Sequence, residues 1–190
     1  GTPFEAVNTG SIAFADVDGD NDQDVLITGL NASNQRIAKL YLNNGIGVFT
    51  EVIGTPFDGV YASSVAFADV DGDNDQDVLI TGSSIPTPNL KVVSKLYLNN
   101  GVGIYTEVMG TPFEAVYSGA IAFSDIDGDS DQDVLITGRD SSALKISQLY
   151  LNNGVGVFTL VVGTPFDGVL QGALAIFDID GDSDQDVLIT

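Results

Sequence analysis

Hydrophobic and polar positions alternate over short stretches along the chain, and polar turns separate these stretches. The first stretch is Ser11–Ala15, and the next three are Val25–Thr28, Lys39–Leu42 and Gly47–Val52. β-branched and aromatic residues fill these segments, and none of them sustains a 3.6-residue apolar period. The pattern predicts an all-β protein whose unit is four short strands, which we name A, B, C and D.

The four-strand pattern recurs along the sequence. Gly-Thr-Pro-Phe begins at positions 1, 54, 110 and 163, which gives spacings of 53, 56 and 53 residues. Leu-Tyr-Leu-Asn-Asn-Gly ends strand C and begins the turn to strand D in three units, and its last three residues tolerate the positive φ of a tight turn. The sequence predicts a single repeat domain, 1–190, made of repeats 1–53, 54–109, 110–162 and a half repeat, 163–190.

A repeat of about 50 residues with four strands is typical of a β-propeller blade. The small side chains of strand A favour the same fold, because the innermost strands of a propeller crowd around its axis. We predict β-propeller-type blades of four antiparallel strands, about 3.5 of them in tandem, within a larger propeller or an open array. A β-solenoid is the alternative, although its coils are usually shorter.

An acidic nine-residue loop follows strand A in every repeat. The first reads Asp-Val-Asp-Gly-Asp-Asn-Asp-Gln-Asp, and the others differ only in Val or Ile at position 2 and Asn or Ser at position 6. Two carboxylates about 4 Å apart repel by roughly 4 kcal/mol at an effective dielectric of about 20. A divalent cation removes this repulsion, and Ca²⁺ prefers oxygen ligands. The candidate metal ligands are Asp16, Asp18, Asp20, Asp22, Asp24, Asp69, Asp71, Asp73, Asp75, Asp77, Asp125, Asp127, Asp129, Asp131, Asp133, Asp178, Asp180, Asp182, Asp184 and Asp186.

The spacing of the five aspartates suggests a role for each. Glycine at position 4 permits the sharp turn that brings positions 3 and 5 together. In the first loop we expect side-chain oxygens from Asp16, Asp18, Asp20 and Asp24, and a backbone carbonyl from Asp22. The chain has no His or Cys, which disfavours zinc and copper, whereas Mg²⁺ stays open as an alternative. We therefore expect one Ca²⁺ in each loop, four in all.

The acidic loops, together with the Val-Leu-Ile-Thr that follows each of them, resemble FG-GAP/VCBS repeats, the blades of integrin-α-type seven-bladed propellers. The resemblance covers essentially all of the chain. It implies that each loop joins strands A and B and binds Ca²⁺ through positions 1, 3, 5, 7 and 9. The Phe-Gly and Gly-Ala-Pro signatures of the family are missing, so the resemblance implies the metal site and not integrin-like ligand binding.

The charge balance excludes some functions. There are 27 acidic and 6 basic residues, a net charge of −21, and 20 of the acids lie in the four loops. We predict no nucleic-acid partner, because binding phosphates requires clustered Lys and Arg. No apolar run is long enough to span a membrane, and the sequence contains no signal peptide. Without His or Cys the usual bases and nucleophiles are absent, so we expect that the protein is not an enzyme.

These features favour a calcium-binding structural or adhesive repeat protein, secreted or on the cell surface, because cytosolic Ca²⁺ is too low to fill such sites. The half repeat suggests association with other copies or with further repeats of a longer chain, in an oligomer or a filament. One alternative is a glycan- or protein-binding propeller that uses the B–C segments 30–39, 83–95 and 139–148. All six basic residues and the sequon at Asn31 lie in or beside these segments. The other alternative is the non-catalytic module of a larger secreted protein.

Overall fold

The computed structural model describes residues 3–85 and 90–190, and these residues form fourteen strands and no helix. No helix in this part of the chain is therefore long and apolar enough to cross a membrane. The strands are β1 Val7–Ala15, β2 Asp24–Asn31, β3 Arg36–Asn43, β4 Phe49–Glu51, β5 Tyr61–Ala68, β6 Asp77–Ile85, β7 Lys91–Leu98, β8 Thr106–Glu107, β9 Ile121–Ser124, β10 Asp133–Arg139, β11 Lys145–Leu151, β12 Thr159–Leu160, β13 Leu174–Phe177 and β14 Asp186–Ile189.

The strands form separate antiparallel sheets in chain order. Three sheets have four strands, β1 to β4, β5 to β8 and β9 to β12, and a fourth sheet pairs β13 with β14. The prediction of all-β, blade-type repeats is thus confirmed. Strands B and C of the first repeat are longer than predicted, because a tight turn joins them directly. Asn31 Oδ1 accepts hydrogen bonds from the N–H groups of Ser33 (3.0 Å) and Gln35 (2.8 Å), which lets both strands extend to the turn.

The core lies between neighbouring sheets. Leu26 and Leu40 of the first sheet share a buried cluster with Val78 of the second. Leu79 points the other way and joins an equivalent cluster with the third sheet. Successive side chains of a strand face opposite sides of the sheet, so the continuous Val-Leu-Ile run is explained by burial on both faces.

The first strands of neighbouring sheets also contact one another, β1 beside β5, β5 beside β9 and β9 beside β13. Near the start of these strands one residue has a positive φ, for example Ala62 (47°) and Ser118 (53°). The N–H of Ser118 donates to Ala62 O (2.7 Å), and the N–H of Gln171 donates to Ser118 O (2.8 Å). These backbone bonds join neighbouring repeats at the end of the sheet opposite the acidic loops.

The phenylalanine of Gly-Thr-Pro-Phe anchors the segment that enters each full repeat. Phe57 packs edge-on against Tyr97, with ring centroids 5.0 Å apart, and lies 5.1 Å from Tyr105. Phe4 and Phe113 make the same pair of contacts in the first and third repeats. The sequence predicts only a connection between repeats here, whereas the structure shows that the motif closes part of the core.

Candidate metal centre

Three carboxylates of each acidic loop come together. In the first loop, one oxygen from each of Asp16, Asp18 and Asp24 lies within 4.8 Å of the other two. The other three loops repeat this cluster, with Asp69, Asp71 and Asp77; Asp125, Asp127 and Asp133; and Asp178, Asp180 and Asp186. The structure therefore brings positions 1, 3 and 9 of the loop into one group that can hold a metal ion.

The first aspartate of the loop shapes the turn around the cluster. Asp16 Oδ1 accepts a hydrogen bond from the N–H of Gly19 (2.8 Å), and Oδ2 accepts one from the N–H of Asn21 (2.9 Å). Gly19 and Asn21 both have positive φ, 78° and 68°, which glycine and asparagine tolerate. The loop thus wraps around the Asp16 carboxylate, as its Asp-Gly-Asp pattern indicates.

The last aspartate ties the loop to two other parts of the repeat. Asp24 begins β2 and is fully buried. Its Oδ2 accepts a hydrogen bond from the N–H of Val17 (2.9 Å), and its Oδ1 accepts one from the N–H of Asn43 (2.7 Å), at the turn between strands C and D. The C–D turn therefore lies beside the acidic loop of its own repeat, and one carboxylate fixes both.

The aspartates at positions 5 and 7 lie outside the three-carboxylate cluster. Asp20 Oδ1 accepts a hydrogen bond from the N–H of Asp22 (2.9 Å), which closes a short turn. The Asp22 carboxylate faces the C–D turn, so a Cβ built on Gly45 would lie 2.5 Å from its Oδ2. The equivalent residues in the other loops are Asp73 and Asp75, Asp129 and Asp131, and Asp182 and Asp184.

Burial penalises the negative charges of the cluster. It raises the pKa of Asp77 to about 7, even though the N–H groups of Val70 and Asn99 donate to this carboxylate. Burial also raises the pKa of Asp24, and the pKa values of Asp18 and Asp71 rise through burial and the charge of the neighbouring aspartates. In the absence of a cation these four carboxylates of the first two loops therefore bind protons more readily than an ordinary aspartate does.

Two buried oxygens of the clusters have no hydrogen-bond donor. Asp18 Oδ1 and Asp71 Oδ1 are buried and accept no hydrogen bond within the protein. An unpaired buried carboxylate oxygen is costly, whereas a hard cation is a suitable partner for it. All the clustered groups are carboxylates, which are ligands for Ca²⁺ and Mg²⁺. The residues of these sites thus fit a hard divalent cation.

Two asparagines that the sequence suggests only as turn formers also reach the loops. Asn99 Nδ2 donates to Val17 O, in the acidic loop of the preceding repeat, at 2.8 Å. Asn152 Nδ2 donates to Val70 O at the same distance. A contact across 82 residues has no local signal in the sequence, and the recurrence of Asn-Asn-Gly in three repeats is the only feature that marks these positions.

Some of the basic residues in the B–C segments form ion pairs within their own repeats. Lys39 forms ion pairs with Glu5 (2.9 Å) and Glu51 (3.1 Å), which raise the pKa of the lysine. Lys95 makes the two equivalent ion pairs in the second repeat, whereas Gln148 occupies this position in the third. Each of these two lysines therefore links strand C of its repeat to strand D and to the segment that enters the repeat. Residues 86–89 of the predicted B–C segment 83–95 lie outside the described residues.

The sequon asparagine is also engaged. Asn31 is buried, and its Nδ2 donates to Glu5 Oε1 (2.6 Å) and to Gln35 Oε1 (3.1 Å). Both amide hydrogens are therefore used in the fold. A glycan at this position requires the turn between β2 and β3 to open.

Comparison with protein families identifies the repeats. The FG-GAP-like repeat family matches residues 16–80 and 125–189, which together make up about two thirds of the chain. Both matched ranges begin at the first aspartate of an acidic loop and end in the Val-Leu-Ile run of the next repeat. A search of curated proteins gives no match. The matched ranges, the blade-type sheets and the repeated acidic loops together show that the chain belongs to the FG-GAP-like repeat family.

Proposed function

We propose that this protein is a calcium-binding structural or adhesive repeat module that acts outside the cell. The observation that carries the proposal is the pair of buried carboxylate oxygens, Asp18 Oδ1 and Asp71 Oδ1, which lack any donor within three-carboxylate clusters. Bound Ca²⁺ would supply the positive charge that these oxygens require. Because each loop joins the first two strands of its repeat, the ion would clip those strands together.

The ligand roles follow from the loop geometry. Asp16, Asp18 and Asp24 would supply side-chain oxygens from the cluster. Asp20 keeps one carboxylate oxygen outside its hydrogen bond to the backbone and would add that oxygen. The Asp22 side chain faces the C–D turn, which favours its backbone carbonyl as the ligand. The same roles apply in the other three loops, so we propose four ions per chain.

The stabilisation from four such ions would be large for a domain. Extracellular modules bind Ca²⁺ with Kd of about 10⁻⁴–10⁻³ M. At about 1 mM Ca²⁺ each site then contributes roughly 0.4–1.4 kcal/mol, or roughly 2–6 kcal/mol for four sites. A folded domain is stable by about 5–15 kcal/mol. A structural role therefore accounts for the sites, and their expected affinity suits extracellular calcium concentrations.

The same features support a role without catalysis. The chain has no His or Cys, and the paired carboxylates that a hydrolase would need are repeated four times in candidate metal loops. We propose that the repeats form a scaffold and that the protein is not an enzyme. Each sheet packs against the next sheet along the chain, the first against the second and the second against the third. Further repeats or other copies of the chain could add to this stack and are therefore suitable partners.

Calorimetry and thermal melts test the proposal. We expect four Ca²⁺ per chain and a melting temperature roughly 5–20 °C higher in millimolar Ca²⁺ than in EDTA. Asp71→Asn should remove one site, whereas Asp167→Asn, an exposed aspartate outside the loops, should leave all four. Equal melting temperatures in Ca²⁺ and EDTA, with no heat of binding, would refute the calcium role. A larger shift with Mg²⁺ than with Ca²⁺ would assign the sites to magnesium.

A further inference from the structure

The C–D turns of the second and third repeats each lie over the acidic loop of the repeat before. Asn99 and Asn152, which make the contacts to Val17 O and Val70 O, are both more than nine-tenths buried. The turn itself follows the loop closely: a Cβ built on Gly103 would lie 3.9 Å from the Cβ of Asp18. A Cβ on Gly156 would lie 3.6 Å from the Cβ of Asp71. The first two loops are thus covered by the second and third repeats.

The asparagine holds the peptide between two candidate ligands. Val17 stands between Asp16 and Asp18, and its N–H donates to Asp24 Oδ2. Asn99 binds the carbonyl of the same residue, so both polar groups of Val17 are fixed. This arrangement sets the positions of Asp16 and Asp18 relative to Asp24. Outer groups of this kind orient metal ligands and strengthen binding without contacting the ion.

The third and fourth loops lack this brace among the described residues. Ile126 and Ile179 occupy the position of Val17, and their N–H groups keep the bond to the last aspartate of the loop, at 2.9 Å in each case. Neither carbonyl accepts a hydrogen bond from an asparagine of the described chain. The exposed fraction of the side chain is 57% for Ile179, against 1% for Val17. One chain thus contains two braced loops and two unbraced loops of nearly identical sequence.

We infer that the first and second metal sites are each completed by the repeat that follows, and that Asn99 and Asn152 are positioning residues for these two loops. This inference rests on the proposed calcium function. Docking of the next repeat buries carboxylate oxygens that a cation would neutralise, so docking and cation binding strengthen each other. By linkage, the braced loops bind the cation more tightly, and cation binding favours stacking of the repeats. Within residues 1–190, the first two sites form a tight class, and the last two, which these residues do not brace, form a weak class.

Tyrosine-sensitised terbium luminescence can follow the two braced loops apart from the other two. Tyr105 donates from its hydroxyl group to Gln76 O, within the second acidic loop, at 2.8 Å. Phe49 and Phe158 occupy this position in the other full repeats. Tyr105 also packs in the buried cluster that contains Val17, in the first loop. The Tb³⁺ signal that is lost in Tyr105→Phe therefore reports the two braced loops. Each asparagine variant is titrated with Tb³⁺ in the Tyr105 background and in the Phe background, and the difference gives the affinities of these two loops.

Asn152→Ala removes the brace of the second loop, and Asn43→Ala is the matched control. Both substitutions remove a bond to the next backbone N–H in the turn, but the described structure gives Asn43 no bond to another repeat. Asn152→Ala should weaken the second-loop part of the Tyr105-dependent titration by about fivefold to tenfold and leave the first-loop part in place. Asn43→Ala keeps the backbone N–H that donates to Asp24 and should leave both parts unchanged.

The outcomes separate this inference from the proposed function. Equal shifts, or no shift, in the two variants would overturn the role of Asn152. If Asn152→Ala does not fold, the Ca²⁺ isotherm of the unaltered chain decides: two tight and two weak sites support the inference, and four equal sites overturn it while leaving the calcium function intact. Binding of neither Ca²⁺ nor Tb³⁺ by the unaltered chain would overturn both.

Discussion

Leu79 and Leu188 occupy the same position of the repeat, in the sequence Asp-Val-Leu-Ile-Thr, but in different surroundings. Leu79 is fully buried against the third sheet, whereas Leu188 is 50% exposed. Replacing Leu79 by alanine removes three buried carbon groups, worth about 0.8 kcal/mol each, and leaves a cavity, so the total loss is about 3–4 kcal/mol. For Leu188 about half of the transfer energy is lost and no closed cavity forms, so the loss is about 1 kcal/mol.

Guanidinium denaturation followed by circular dichroism measures this difference. The chain has no tryptophan, so the far-ultraviolet signal of the sheets is the suitable probe. Leu79→Ala should lower the denaturation midpoint about three times as much as Leu188→Ala, in saturating Ca²⁺ and in EDTA alike. Equal losses would refute the view that the sheet-to-sheet interface stabilises the repeats. A larger loss of stability for Leu188→Ala than for Leu79→Ala would contradict the assignment of Leu79 to the buried interface between sheets.

Three further predictions concern pH, the turns and the ion pairs. Without metal, stability should fall as pH rises from about 4 to about 7, because Asp77 has a folded pKa of about 7 and an unfolded pKa near 4, so the folded state binds the proton more tightly. Melting temperatures in metal-free buffer at pH 5 and pH 8 test this, and a higher value at pH 8 would contradict it. Gly101→Ala should lower the stability of the fold more than Gly110→Ala does, and it should also weaken Ca²⁺ binding. Both glycines have positive φ, but only a Cβ at Gly101 would lie against the Asp75 carboxylate, at 2.7 Å. Denaturation midpoints and calorimetry compare the two, and equal effects would rule out the steric clash. Lys95→Gln should lower the free energy of unfolding by about 1 kcal/mol or less at low salt and by less still in 1 M NaCl, because its ion pairs are partly exposed. A loss that does not depend on salt would mean that packing, and not charge, is the cause.

The local structure of this protein was largely predictable from its sequence. Alternation of apolar residues predicted the strands, and the recurrence of Gly-Thr-Pro-Phe and the acidic loop predicted the repeats. The carboxylates at positions 1, 3 and 9 of each loop lie together, because hydrogen bonds within the loop and to the turn beside it fix their positions. The side chain at position 5, which the spacing places with them, lies outside this group. The apolar pattern underestimates the lengths of strands B and C, because the turn at Asn31 depends on side-chain hydrogen bonds that such a pattern does not reveal.

The sequence by itself determined the all-β fold, the repeat and the acidic clusters, because strand alternation and loop chemistry depend on residues close together in the chain. Only the tertiary structure decided which loops are enclosed. Asn43, Asn99 and Asn152 have the same local sequence, yet only Asn99 and Asn152 bind the loop of a preceding repeat. The Val-Leu-Ile run is likewise nearly identical in every repeat, but its burial depends on the sheet that packs against it. Contacts between repeats join residues far apart in the chain, so identical segments have different surroundings and, we predict, different affinities for the same ion.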